Sequence, residues 1–100
     1  MTDQNCQIEV EIKNADGLHM RPAMQFVDVA SKYRCDIKVS NGDTSVDAKS
    51  IMQMTMLAAT CGTKLTILAE GQDCQLALSE LRELVEEKLF GEPAGDKSKG

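Results

Sequence analysis

One histidine, His19, stands in a chain of 100 residues, inside the run Gly17-Leu18-His19-Met20-Arg21-Pro22-Ala23. Imidazole is the side chain that exchanges protons and meets electrophiles near neutral pH. The glycine before it permits a tight loop, and the pattern after it is helical, so the imidazole falls where a loop becomes a helix. A helix start presents N–H groups without intrahelical partners and the positive end of a dipole, which together suit an anion. Arg21 adds a guanidinium two positions on, a natural partner for phosphate. The chemistry on offer is transfer of an anionic group to or from an imidazole. On its own, a His-x-Arg pair is more often a loop histidine beside a solvated cation, so the rest of the chain has to decide.

The remaining reactive groups point elsewhere or nowhere. Cys6, Cys35, Cys61 and Cys74 form no C-x-x-C pair, and with a single histidine they make a poor metal site. They read as free, partly buried thiols of a reducing compartment, with no metal and no cofactor implied. A net charge of −5 argues against a nucleic-acid partner or an anionic membrane surface. Aromatic residues are too few for base-stacking platforms: Phe26, Tyr33 and Phe90, with no tryptophan. The polar start Met1-Thr2-Asp3-Gln4-Asn5 has no targeting pattern, and no apolar run is long enough to span a bilayer. The expectation is a soluble cytoplasmic protein, one domain over residues 1–90 followed by a disordered polar tail over 91–100.

The elements that must position His19 follow from periodicity. Residues 7–13 alternate, with Ile8, Val10 and Ile12 against Glu9, Glu11 and Lys13, as a half-buried strand does. Asn14-Ala15-Asp16-Gly17 turns it. A helix is predicted over residues 20–33, with Met20, Ala23, Val27 and Ala30 on its core stripe and Phe26 and Tyr33 beside them. Pro22 falls in the first turn, where its missing N–H costs nothing, and biases Arg21 away from helical backbone. A strand over 35–40 and a returning strand over 44–48 flank a hairpin turn at Asn41-Gly42-Asp43. Ser50 is a good N-cap for a short helix over 51–58. That helix is apolar nearly all round (Ile51, Met52, Met54, Met56, Leu57), so part of it must lie at the surface, ready for a partner. A strand over 63–69 and a helix over 74–89, with Asp73 as N-cap, complete the order β-α-β-β-α-β-α. Ala77, Leu78, Leu81, Leu84 and Val85 form the inner stripe of that last helix, and Glu80, Glu83, Glu86 and Glu87 its solvated side. Four alternating strands favour an α+β fold, a sheet covered on one face by helices. Pattern alone does not order the strands.

The run around His19 resembles the phosphorylation site of HPr, the histidine phosphocarrier of the bacterial sugar phosphotransferase system. Lys49-Ser50-Ile51-Met52 resembles that family's second signature, a regulatory serine, at the family's separation from the histidine. The element order agrees, and the resemblance covers about residues 7–90. It implies an open-faced β-sandwich, a four-stranded antiparallel sheet of order 1-4-2-3 under three helices. It implies a phosphocarrier rather than an enzyme: His19 accepts a phosphoryl group at Nδ1 from enzyme I, itself charged by phosphoenolpyruvate, and passes it to an enzyme IIA domain. Arg21 would steady the phosphate, and Met20, Ile51 and Met52 would dock partners. Similarity to low-GC Gram-positive members implies phosphorylation of Ser50 by an ATP-dependent HPr kinase/phosphorylase and an encounter with a transcriptional regulator. A monomer is expected.

Elementary chemistry fits that role. A carrier histidine attacks as neutral imidazole, which a positive helix end favours. The gained phosphate meets helix N–H groups and a guanidinium. Holding it too tightly would stall onward transfer. The chain departs from the family at Met20, where Ala or Thr is commoner, and at Asp16, where Asn or Ser is common. Gln53 stands where Gly is frequent in Gram-positive members, and Thr55 where Met is frequent. Two other readings stay open at the level of sequence: an HPr-like regulatory protein not coupled to transport, and an interaction module that uses its methionine face without phosphate.

Overall fold

A computed structural model of the chain describes residues 5–57 and 59–91. The expected tail, beyond Gly91, lies outside the described residues, as do Ala58 and the polar start 1–4. The elements run β1 (Asn5–Glu11), α1 (Met20–Ser31), β2 (Asp36–Asn41), β3 (Thr44–Asp47), α2 (Ile51–Thr55), β4 (Lys64–Glu70) and α3 (Cys74–Arg82). The strands form one antiparallel sheet in the order β1-β4-β2-β3.

Register explains the layering. Ile8 pairs with Ile67, Ile67 with Val39, and Val39 with Val46, so one row of β-branched side chains crosses the whole sheet beneath the helices. The next row, Gln7, Leu68, Lys38 and Asp47, is exposed on the other face. Such alternation is what an antiparallel sheet with one wet face requires. Against the inner rows pack Ala23, Phe26 and Ala30 of α1, Met54 of α2, and Ala77, Leu78 and Leu81 of α3. Phe26 is fully buried, a side chain whose removal to alanine typically costs about 3–5 kcal/mol.

Several local expectations are corrected. The hairpin loop is Gly42-Asp43, because Asn41 still pairs with Thr44. Among the residues of that loop only the first has positive φ, the pattern of a II′ turn, and glycine supplies it at φ 66. Arg21 lies inside a regular α1, so the bias set by Pro22 yields to the helix already begun at Met20. Met20 is exposed and Val27 only partly buried, so the core stripe of α1 is narrower than its periodicity suggests. Asp73 precedes α3 in left-handed backbone at φ 63 and makes no side-chain cap. After Arg82 the last helix widens over Glu83–Glu87, where Lys88 N–H bonds back five residues to the Glu83 carbonyl at 2.8 Å. Leu89 and Phe90 then take positive φ. That left-handed backbone costs roughly 1–2 kcal/mol per residue, offset by full burial of Phe90 and by the Gln25 side-chain N–H bonding to its carbonyl at 2.9 Å.

The glutamates of the last helix are not merely solvated. Glu86 accepts the Glu11 N–H at 2.8 Å. Glu80 accepts from the Tyr33 hydroxyl and from Lys32 Nζ, joining the end of α1 to α3. The bond to Glu80, and then burial, push the Tyr33 phenol up to about 12. The bonds from Lys32 and then Tyr33 hold the Glu80 carboxyl below its usual range. The signs follow from linkage. The tyrosine's share of stability is complete below pH 10 and is lost as pH rises through about 12. The glutamate's share is present above the ordinary carboxylate pKa and is lost as pH falls through its depressed folded value. Tyr33→Phe should lower stability by about 1 kcal/mol, kept small by solvent at this surface site. Denaturant melts at neutral pH will show that loss, and Glu80→Gln should flatten the acid limb of the stability curve between pH 5 and pH 3, a range set by ordinary carboxylate titration at about 4.

Candidate functional site

The site is built from the loop that joins β1 to α1. Asn14, fully buried, donates from Nδ2 to the Gly17 carbonyl at 2.8 Å, while Gly17 N–H donates to the Asn14 carbonyl at 3.1 Å. This closes the turn on itself. Gly17 has φ +73, and a Cβ there would meet the Ala59 carbonyl oxygen at 2.6 Å and the Thr60 Cα at 2.9 Å. Leu18 is buried and donates its N–H to that same Ala59 carbonyl at 2.8 Å. The loop is thereby pinned to the segment that enters β4. Sequence reading treated residues 14–17 as an ordinary turn and missed Asn14. A polar residue directly after a strand and three before a glycine was the available signal.

His19 follows as the N-cap residue of α1, in extended backbone at φ −88, ψ −169. Its carbonyl accepts the first helical bond, from Ala23 N–H at 3.0 Å, and its side chain makes no cap bond. The imidazole is exposed. Met20 and Arg21 precede that first bond, so their N–H groups have no intrahelical acceptor, and Pro22 has no N–H at all. Arg21 is exposed in the same turn. Asp16 is exposed at the turn before it.

Ser50 occupies the matching place on α2. Its Oγ accepts the Gln53 N–H at 3.3 Å and its carbonyl accepts the Met54 N–H at 2.9 Å. Gln53 reaches back to accept the Asp47 N–H at 2.9 Å, so this departure from the family pattern ties α2 to the end of β3. Lys49 Nζ donates to the Tyr33 carbonyl at 2.8 Å and holds the α2 entry to the end of α1.

Between α1 and α2 runs an open, mainly apolar groove of about 480 Å³, lined by Met20, Met24, Val27, Asp28, Ile51, Met52 and Thr55. The three expected docking residues, Met20, Ile51 and Met52, therefore share one surface. Met24, Val27, Asp28 and Thr55 were not anticipated. Met20, Met24 and Val27 recur at helical spacing beside the core stripe, and that second stripe was the missed signal.

The cysteines stand apart from this surface. All four are free, and burial pushes the Cys35 thiol up. The Cys74 thiol is pushed up by its hydrogen bond with Cys6 and then by burial. Among the described residues no group of three or more His, Cys, Asp or Glu side chains could hold a metal ion, and no helix is long and apolar enough to cross a membrane.

An exposed imidazole at a helix start, with a cation in the same turn and an apolar groove alongside, can take an anionic group and present it to a docked protein. A family model described as the PTS HPr component phosphorylation site matches residues 6–87. The chain belongs to the HPr family. It is similar to Phosphocarrier protein HPr of Borreliella burgdorferi, 44% identical over 78 residues that cover 78% of this chain and 91% of that protein. It is also similar to Phosphocarrier protein HPr of Haemophilus influenzae, 46% identical over 77 residues, 77% of this chain and 91% of that one. The crystal structure of HPr-C-His from Thermoanaerobacter tengcongensis superposes with a TM-score of 0.82 at 41% identity, over 87% of this chain and 97% of that one. The protein is thus a phosphocarrier of the phosphotransferase system and not a catalytic enzyme.

The geometry of Gly17 gives a direct test of how the HPr loop is held. Gly17→Ala should cost about 2–4 kcal/mol, left-handed strain plus a backbone clash. Gly62→Ala, at φ +95 with open space around its Cβ, should show the strain alone, about 1 kcal/mol. Paired thermal melts, with Gly17→Ala the lower by several degrees, check the difference.

Proposed function

We propose that His19 is the phosphoryl acceptor of this carrier. Its Nδ1 lone pair attacks phosphorus on the charged donor, enzyme I, as the bond from phosphorus to the donor breaks in line. A second transfer then delivers the group to an enzyme IIA domain. Little chemistry is asked of the carrier beyond positioning and charge. The observation that carries this reading is the exposed imidazole at the α1 start, one residue before Met20 of the apolar groove. Arg21 and the N–H groups of Met20 and Arg21 stabilise the bound phosphate, while solvent exposure keeps that stabilisation modest, as onward transfer requires.

The groove of α1 and α2 is the docking face, with Met20, Ile51 and Met52 at its centre. Ser50 is the regulatory acceptor, phosphorylated from ATP by an HPr kinase/phosphorylase and so presented to a transcriptional regulator. Its phosphate would sit at the α2 start, where negative charge is tolerated, so the fold survives while the groove gains charge. A carrier that shows one face to successive partners works as a monomer, and its partners are proteins of the cytoplasm. The working domain spans residues 1–90, and the breaker-rich composition of residues 91–100 supports a polar tail outside it.

Three outcomes test this. Incubated with phosphoenolpyruvate and enzyme I, the protein should gain an acid-labile, base-stable phosphate, and His19→Ala should gain none; a labelled alanine variant would sink the assignment. Incubated with ATP and HPr kinase, wild type should be labelled and Ser50→Ala not; equal labelling removes Ser50 as the target. Met52→Asp should raise KM for enzyme I about tenfold, as a charge buried against an apolar partner costs on the order of 1–3 kcal/mol. Its melting temperature should stay within a few degrees of wild type.

A further inference from the structure

Five methionines fall among the described residues, and they divide sharply. Met20, Met24, Met52 and Met56 are 56%, 52%, 75% and 69% exposed, whereas Met54 is fully buried. Three of the exposed four line the groove between α1 and α2, and Met56 directly follows Thr55, which lines it too. Met20 is the residue next to His19. A leucine or isoleucine could offer the same apolar contact, and Ile51 does so in the same groove. What thioethers add is a sulfur lone pair open to solvent. Oxidation turns that flexible apolar side chain into a polar, chiral one, and a sulfoxide is reducible by dedicated enzymes.

We infer that this methionine face is an oxidation-sensitive gate on docking, in which peroxides convert Met20, Met24 and Met52 to sulfoxides and close the groove to protein partners. The inference rests on the docking face proposed above. In each event the thioether sulfur attacks one peroxide oxygen and the O–O bond breaks. That oxygen stays on sulfur, the other leaves as water from hydrogen peroxide or as an alcohol from an organic peroxide, and sulfur gives up two electrons. A thiol-dependent reductase returns the oxygen as water at the cost of one dithiol becoming a disulfide. Met54, enclosed in the core, is spared, so the fold persists while its surface changes character. Each sulfoxide places a strong acceptor where a partner offers apolar surface, and an acceptor buried there without a donor weakens docking.

The test uses the full chain, hydrogen peroxide as oxidant and then excess dithiothreitol, which reverses cysteine disulfides and sulfenic acids but leaves sulfoxides in place. Peptide mass spectrometry should find one added oxygen on Met20, Met24, Met52 and Met56 and none on Met54. The kcat/KM for phosphorylation by enzyme I should fall about tenfold relative to the same protein untreated and return after methionine sulfoxide reductase. The combined variant Met20→Leu, Met24→Leu, Met52→Leu and Met56→Leu should keep its own untreated kcat/KM after peroxide. Full transfer by the sulfoxide-bearing wild type would overturn the inference, as would equal losses in the leucine variant. The docking face itself is judged separately by unoxidised Met52→Asp. If that variant is slow while the oxidised wild type is not, the face stands and only the gate falls; if that variant transfers normally, the face falls first.

Discussion

The functional surface depends on one carbonyl, that of Ala59. It accepts the Leu18 N–H at 2.8 Å, and the backbone around it leaves no room for a side chain at Gly17. A loop between a strand and a helix would otherwise sample many conformations, at roughly 1–2 kcal/mol of entropy for each residue fixed. Here the β4 entry acts as a template. Gly62 N–H to the Ile12 carbonyl at 2.7 Å and Ile12 N–H to the Thr63 carbonyl at 2.9 Å extend the β1–β4 pairing into the loop. Buried Leu18 then seats the chain, and Asn14 closes the turn behind it. His19 inherits its exposure and its place at the helix start from contacts made by its neighbours, and none from its own side chain capping the helix.

That arrangement explains what the sequence could and could not disclose. Strand alternation was legible because each inward row is made of Ile, Val, Leu and Ala, and their register follows once the hydrophobic face is fixed. The N-cap role of Ser50 was legible because the hydroxyl, the spacing to Gln53 and the following apolar run all sit within four residues. The pinning of Gly17 was not, since its partner lies more than forty positions away and acts through backbone atoms, which carry no side-chain signature. The same holds for the end of α3. Its widened turn and the left-handed Leu89 and Phe90 answer to the burial of Phe90 in the core and to the Gln25 bond to its carbonyl, a tertiary demand that overrides local propensity. Gln53, noted as a departure from the family, has its reason in a bond to the Asp47 N–H that no pattern would reveal. Family likeness supplied the strand order, which periodicity left open.

The two signatures of the family occupy equivalent physical positions, each the N-cap residue of a helix. They differ in what the cap does. Ser50 spends its hydroxyl on the Gln53 N–H, so its oxygen is already directed at the helix start. His19 caps only through its backbone carbonyl, and the ring is left to the surface. A phosphate gained at either place would meet N–H groups at a positive helix end. In the proposed scheme the histidine gives its phosphate up again, which suits an exposed ring that makes no cap bond to its own helix. The serine already lies along the helix axis, where an added charge can persist without distorting the chain.

Docking and stability are carried by different atoms of the same short helix. Within α2, Met54 points into the core and is fully buried, while Met52, two residues before it, is the most exposed of the described methionines. The helix has five residues, too few to be stable by itself. Its persistence comes from the Ser50 cap, the Gln53 bond to β3 and the anchoring of Met54 and Leu57. None of these uses the side chains of Met52 or Thr55 that face the groove, while half-buried Ile51 both lines it and packs against the core. The groove can therefore change polarity or charge at its exposed methionines, by substitution or by modification, with little effect on folding. Any such change acts at once on a partner approaching His19, because Met20 of α1 and Ile51 of α2 line one surface. The fold lays α1 and α2 against each other along one groove, with the α2 entry held to the end of α1 and the segment after α2 pinned beneath the α1 start, so a change on either helix is met by a partner covering that groove without a change of conformation.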